Sequence, residues 1–258
     1  MTDVKTAVFL YHDVIATPND SGFNRRAALP YKHSPEAFSK NLDQIAFSSV
    51  MPSLVKDIDF AGTGRYLLLT FDDGGKSSIS ISEELANRGW KGHFFIITSR
   101  IGDKSFLNRE EIREIHKMGH VIGSHSHSHP DIFCRQPLDE MLDEWKMSKD
   151  ILSEILGEPC TIASVPGGDV SKKVYDSANQ AGIKFLFTSD PLLRPRTFEN
   201  CWVLGRIGIK VSTPLATVKN LARFHGWEVE NLKWQSKKSI KRIFPPFYDW
   251  YVKRTTYE

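Results

Sequence analysis

Residues 66–75 read Tyr66-Leu67-Leu68-Leu69-Thr70-Phe71-Asp72-Asp73-Gly74-Gly75. A near-continuous apolar run has no polar face to give to water. It suits a strand covered on both sides, as in a parallel sheet flanked by helices. The run ends at two adjacent carboxylates and two glycines. Asp and Gly are turn residues, so one reading is a plain strand-to-loop turn. The other is functional, because parallel α/β folds keep their active sites at the C-terminal ends of strands.

Outward from this stretch, apolar runs alternate with helical patterns. Strands are expected at 7–11, 93–98, 121–123, 161–165, 183–188 and 202–209. Ser34 caps a helix with Pro35 at its first position and apolar spacing at Phe38, Leu42, Ile45 and Ala46. A helix through 83–88 closes on Gly89, and Asn108 with Glu111 forms a capping box for a helix closing on Gly119. Residues 137–156, 171–181 and 213–223 complete the helices. Roughly seven strand–helix alternations imply a parallel sheet. About 225 residues of this pattern suit a closed barrel better than an open sheet, and spacing alone does not choose between them.

The second signal is His125-Ser126-His127-Ser128-His129-Pro130, directly after the short strand at 121–123. Imidazole is a common ligand for Zn, Fe, Co and Ni. His125 and His129, four apart, would share one face of a helical turn and grip one ion, with His127 pointing elsewhere. The bland alternative is a polar loop that happens to be rich in His. With one carboxylate of the Asp pair, the two imidazoles make a two-His, one-carboxylate set with positions left for water. Such a set binds a divalent metal and lowers the pKa of bound water towards ~7. The other carboxylate is then free to act as general base.

Composition sets the outer limits. The 258 residues are 40% hydrophobic and 25% charged, which excludes collagen-like, wholly disordered and disulfide-scaffold classes. No stretch approaches the ~18 uninterrupted apolar residues of a membrane span. Cys134, Cys160 and Cys201 are widely spaced without a CxxC pattern and read as buried thiols. The start, MTDVKTAVFLYHDV, lacks the basic opening and cleavage site of a signal peptide, so a cytoplasmic location is expected. The net charge of +3 is uneven, with residues 233–258 at +5 and the rest at −2. No basic face for nucleic acid is expected on the main domain.

Here a resemblance becomes specific. TFDDGG followed about fifty residues later by HSHSH is similar to the polysaccharide deacetylase family, the NodB-homology domain of carbohydrate esterase family 4. Tyr11-His12-Asp13-Val14 and SPEAFSKNLDQI also resemble the start of many members, and the likeness covers roughly residues 7–210. It implies a distorted (β/α)7 barrel, parallel strands with outer helices, and metal-dependent removal of acetyl from N-acetylated sugars. By the same resemblance Asp72 is the catalytic base, and Asp73, His125 and His129 hold the metal, with Zn the default and Fe, Co or Ni as alternatives. Metal-bound water then attacks the amide carbon.

Two later motifs depart from the family pattern. An Arg-x-Pro-x-Gly segment, whose Arg orients the base, is matched by Ser164-Val165-Pro166-Gly167-Gly168. A late Leu-x-His, whose His is the general acid, is matched by Leu204-Gly205-Arg206. Arg206 stands as a replacement for the orienting charge or as a surface strand residue, and His12 ranks first as substitute acid. Pro166, Gly167, Tyr11 and Trp202 are candidate substrate contacts, with Phe133 a further aromatic near the rim.

The expected organisation is a catalytic domain at 1–232 and a basic, aromatic appendage at 233–258. The appendage suits either an anionic membrane surface or packing back on the barrel. The leading expectation is a deacetylase acting on a polysaccharide or a cell-surface glycan precursor. A deformylase of a lipid-linked amino sugar and a metal- or glycan-binding homologue without turnover are the alternatives.

Overall fold

The structure, a computed structural model, describes residues 3–17 and 20–243, with side-chain surroundings to residue 236. In chain order the elements are β1 (Asp3–Tyr11), β2 (Asp13–Val14), β3 (Lys32–His33), α1 (Pro35–Ala46), β4 (Thr63–Phe71), α2 (Ser78–Asn87), β5 (His93–Ile96) and α3 (Arg109–Lys117). There follow β6 (Val121–Ser124), α4 (Leu138–Leu156), β7 (Ile162–Ser164), α5 (Lys172–Gln180), β8 (Phe185–Phe187) and β9 (Arg196–Phe198). The chain continues through β10 (Cys201–Leu204), β11 (Ile207–Gly208), α6 (Leu215–Ala222) and α7 (Trp227–Ile243).

Local chemistry sets the helix ends. The Ser34 hydroxyl accepts from the Ala37 N–H at 3.1 Å, and Pro35 opens α1. At α3, Asn108 accepts from the Glu111 N–H at 2.9 Å while Glu111 accepts from the Asn108 N–H at 2.8 Å. Gly157, at φ +72°, stops α4 in the left-handed conformation that glycine adopts without steric cost.

The main sheet runs β11-β1-β4-β5-β6-β7-β8-β10-β9, and every pairing is parallel except β10 with β9. The sheet curls upon itself. Val4 and Val8 of β1, Leu68 of β4, Phe95 of β5, Phe187 of β8 and Leu204 of β10 share one buried cluster inside it. The rings of Phe95 and Phe187 lie 5.2 Å apart across that interior. The C-terminal ends of the parallel strands therefore open on a common rim.

The single strand expected over 202–209 is instead two, β10 and β11, broken at Gly205-Arg206. The break lets β11 pair with β1 and turns Arg206 inward. A Cβ on Gly205 would lie 2.2 Å from the Asp190 carbonyl oxygen, so only glycine fits where the chain passes itself. The seam is filled by irregular chain, whose Leu193 carbonyl accepts from the Thr6 N–H at 2.7 Å. The loop at residues 20–26 is flanked by the small β2–β3 pair, and Ser21 within it is buried.

The expected division at 232/233 falls inside α7. The basic and aromatic stretch at 237–251 lies outside the residues whose side chains are described. Cys160 and Cys201 are buried free thiols, and Cys134 is a half-buried one. Among the described residues no helix is long and apolar enough to cross a membrane.

Inside the barrel, His93 accepts the Val55 N–H at Nε2 (3.0 Å) and sits 3.0 Å from the Leu69 carbonyl through Nδ1. Burial pushes its imidazole down to about 4. An unfolded His titrates near ~6.5, so below that pH the unfolded chain binds a proton that the folded chain refuses. The resulting stability is present above pH ~6.5 and is lost as pH falls towards ~4, at most about 3 kcal/mol. We expect the melting temperature of metal-free protein to drop across that window, and to drop less in His93→Gln, whose amide can serve both partners. Equal slopes by differential scanning calorimetry would contradict this assignment.

Candidate metal and catalytic site

β4, β6 and β7 deliver the site to the rim. Asp72 and Asp73 follow β4 directly, His125 follows β6, and Ser164 ends β7. Asp73 adopts φ +77°, a left-handed turn that Asp tolerates better than most residues. On an extended strand the two acids would point to opposite faces. The turn instead brings both towards one imidazole: His125 Nε2 lies 3.8 Å from Asp72 Oδ2 and 3.4 Å from Asp73 Oδ1. Gly75 allows the loop to close beneath them, since a Cβ there would sit 2.3 Å from Asp13 Oδ1.

Asp72 is buried and held by two parallel N–H···O bonds from Arg206, at 2.7 Å to Oδ1 and 2.9 Å to Oδ2. Such a fork fixes both position and plane of a carboxylate. Arg206 is itself wholly buried and anchored by Nε on the Thr188 carbonyl at 3.0 Å. The Ser164 hydroxyl donates to Asp72 Oδ1 at 3.2 Å. Burial alone would raise the Asp72 carboxyl, but the charges of Arg206 and His125 outweigh it and hold the group below the usual range.

Asp73, His125 and His129 place one ligand atom each within 4.8 Å of one another. His129 Nε2 lies 3.8 Å from Asp73 Oδ1. Donors about 2.0–2.2 Å from one tetrahedral ion would be roughly 3.4 Å apart, so these separations fit a zinc-sized cation. His125 Nδ1 lies 3.1 Å from the Ser164 carbonyl, an anchor that leaves Nε2 bare towards Asp73. Burial raises Asp73, yet the His125 hydrogen bond and the nearby histidines reverse that and drive it well below the usual range. Burial pushes the His129 imidazole down to about 4, so it is neutral and able to coordinate. In His125 burial favours the neutral ring, but the two aspartates outweigh it and push its pKa up. A cation in the cluster would take the place of that proton.

His127 lies outside the cluster, with Nδ1 2.9 Å from the Thr98 hydroxyl. His12 is half-buried on the same rim, its ring 4.8 Å from that of Tyr31. Its Nδ1 has no hydrogen-bond partner among the described residues, and it is close enough to favour ionisation of both aspartates. Gly167 is exposed in the loop after β7, while Pro166 is buried there.

The aromatics expected to meet substrate are elsewhere. Tyr11 has no exposed surface and packs edge-on against Phe38 and flat against Phe71. Trp202 stacks on Phe60 at 4.3 Å and pairs in register with Phe185 at the start of β8, at the end of the barrel away from the rim. Phe133 is buried against Trp145. Tyr11 and Phe133 are retained by core packing and the half-buried Trp202 lies at the far end, so none of the three is placed to stack on a sugar at the rim.

Sequence reasoning missed Ser164 and Phe23. Ser164 stands where the family pattern has its Arg, and that position was the available signal. Phe23, 5.4 Å from the His129 ring and capped by the Arg25 guanidinium at 4.2 Å, carried none.

The chain is similar to known deacetylases in sequence and in fold. The sequence profile described as polysaccharide deacetylase matches residues 61–186. YxkH of Bacillus subtilis is 26% identical over 209 residues, which is 80% of this chain and 71% of that protein. The peptidoglycan-N-acetylglucosamine deacetylase PgdA of Listeria monocytogenes is 29% identical over 155 residues; the match spans 57% of this chain and 32% of PgdA. The structure of IcaB from Ammonifex degensii superposes with a TM-score of 0.71 at 20% identity, covering 86% of this chain and 99% of that one.

Removing one partner of a buried ion pair strands the other, typically at about 3–5 kcal/mol. Arg206→Met is expected to destabilise by about that amount. The double variant Asp72→Asn/Arg206→Met should recover much of the loss, because no buried charge remains unpaired. Urea denaturation checks the cycle, and strictly additive effects would contradict a direct pair.

Proposed function

We propose, from the premise that this chain belongs to the polysaccharide deacetylase family, that it hydrolyses the acetamide of an N-acetylated amino sugar in a glycan or glycan precursor, using a divalent metal. The observation that carries the reading is the convergence of Asp73, His125 and His129 beside a second, Arg206-clamped carboxylate. These three side chains would hold the ion, with zinc the expected occupant because the donor set is two imidazoles and one carboxylate. Bound there, a divalent cation supplies Lewis acidity, lowering the pKa of a coordinated water and drawing charge from the amide carbonyl.

The chain's own residues do the rest. Asp72 is ionised and fixed by Arg206, with Oδ2 facing His125 Nε2. It accepts the proton of the attacking water. Arg206 makes Asp72 a weaker base than a free carboxylate but holds it in one orientation, which favours a single productive geometry. Arg206 stands where the family carries its late His, and a guanidinium does not release protons near neutral pH. The leaving amine therefore takes its proton from elsewhere, and His12, whose Nδ1 has no hydrogen-bond partner among the described residues and which acts on both aspartates, is the candidate. Gly167, exposed on the same rim, is the backbone contact left for the sugar. The names of the peptidoglycan relatives point to a cell-wall glycan as the first substrate to try.

Acetate release from N-acetylglucosamine oligomers and from peptidoglycan tests the reading. Zinc-loaded protein should release acetate, a chelator should abolish it, and Asp72→Asn should lower kcat by roughly 10²–10⁴-fold. His12→Gln should lower kcat more than it changes KM. Formate release in preference to acetate would replace the acetyl reading with a formyl one. Tight glycan binding with no hydrolysis for any metal would replace it with a binding role.

A further inference from the structure

The segment carrying both metal-site imidazoles is not a regular element. Ser126 and His129 lie at φ +62° and +56°, in the left-handed region that residues other than Gly, Asn, Asp and, less often, His seldom adopt. Such a conformation persists only where neighbours impose it. Within the segment, the Ser124 hydroxyl oxygen accepts from the Ser126 N–H and the Ser126 hydroxyl oxygen accepts from the His129 N–H, each at 3.1 Å. On one side the residues before α3 hold it, through the Ser99 N–H to the His127 carbonyl at 2.9 Å.

On the other side stands one carboxylate. Glu144 Oε2 accepts from the backbone N–H groups of His127 (2.8 Å) and Ser128 (2.7 Å), and Oε1 accepts from the Ser128 hydroxyl at 2.5 Å. One turn further along α4, Ser148 accepts from the Ser124 hydroxyl at 2.7 Å. Residues four apart share a helix face, so α4 meets both ends of the turn between the imidazoles. Trp145, between them, is buried and fixes the helix in the core.

We infer that Glu144 is a positioning residue that presets the His125–His129 turn for metal binding through the His127 and Ser128 backbone, without touching the ion. This rests on the reading that Asp73, His125 and His129 hold a cation. The physical logic is that of ligand orientation. The geometry of the two imidazoles is fixed before the ion arrives, so binding does not have to order the turn. An ionised acceptor is suited to this task, because bonds from backbone N–H to carboxylate are stronger than neutral ones. Glu144 also borders a cleft of about 420 Å³ on the outer side of the turn, together with Glu140 and Asp143. Among the described residues Asp143 makes no bond to the turn, which makes it the control for loss of charge alone.

Zinc affinity by competition with a chromophoric chelator, and the visible spectrum of the cobalt-substituted protein, test the inference on the full chain. Glu144→Ala should weaken zinc binding by roughly 10–100-fold. Its cobalt spectrum should change in intensity as the imidazoles lose their fixed angle. Glu144→Gln should fall between, because its amide keeps one acceptor oxygen but turns an NH2 group towards a donor. Asp143→Asn should bind zinc within about threefold of the unsubstituted chain. If Glu144→Ala does not fold, Glu144→Gln decides. Zinc binding by a folded Glu144 variant within about threefold of the unsubstituted chain, or an equal loss in Asp143→Asn, would overturn the inference alone. Failure of the unsubstituted chain to bind zinc or cobalt would overturn the metal reading, and this inference with it.

Discussion

Two consecutive carboxylates are buried at the rim of this barrel, and the surrounding structure is arranged to keep both of them ionised. Removing an ion from water costs several kcal/mol, so each acid needs its own compensation. Asp72 has a guanidinium fork, and Asp73 has two imidazoles and the room for a cation between them. The left-handed turn at Asp73 is what separates the two solutions. Without it the acids would lie on opposite faces of an extended chain, and neither arrangement could be shared with His125.

The compensation for Asp72 also ties the barrel together. Arg206 lies between β10 and β11, at the seam where, among the described residues, no strand ladder joins the two ends of the sheet. Its bonds to Thr188, Thr70 and Asp72 link the β8 and β4 ends across that seam. Ser164, which stands where the family pattern has an Arg, adds its own hydroxyl to Asp72. The orienting charge has in effect moved from the end of one strand to the gap between two others. One consequence is chemical. A guanidinium in the position of a late His holds a carboxylate well and donates no proton, which is why the proposed reaction needs a separate acid.

Much of this was legible in the sequence. The apolar run at 66–71, the capping residues Ser34, Asn108 and Glu111, and the terminating glycines each have a local physical cause, and the parallel architecture followed from their alternation. The Asp pair and the His triplet stood out because few other roles need those residues at that spacing. What was not legible depends on distance in space. β2, β3 and β9 are two or three residues long, too short to carry a period. The break at Gly205-Arg206 is set by the chain passing Asp190 and by the pull of Asp72, both far away in sequence. Tyr11, Trp202 and Phe133 looked available because position along a strand does not reveal which rings the core retains. Glu144 is one of several acids on a long amphipathic helix, and nothing in its own sequence neighbourhood separates it from the exposed ones.

The most direct measurement is anomalous diffraction from crystals grown with zinc, recorded on both sides of the zinc absorption edge. A single peak bonded to Asp73 Oδ1, His125 Nε2 and His129 Nε2, with Asp72 still gripped by Arg206 and outside the coordination sphere, is the predicted result. An ion ligated by Asp72 in place of Asp73, or no ordered ion near the two imidazoles, would contradict the division of roles between the paired acids.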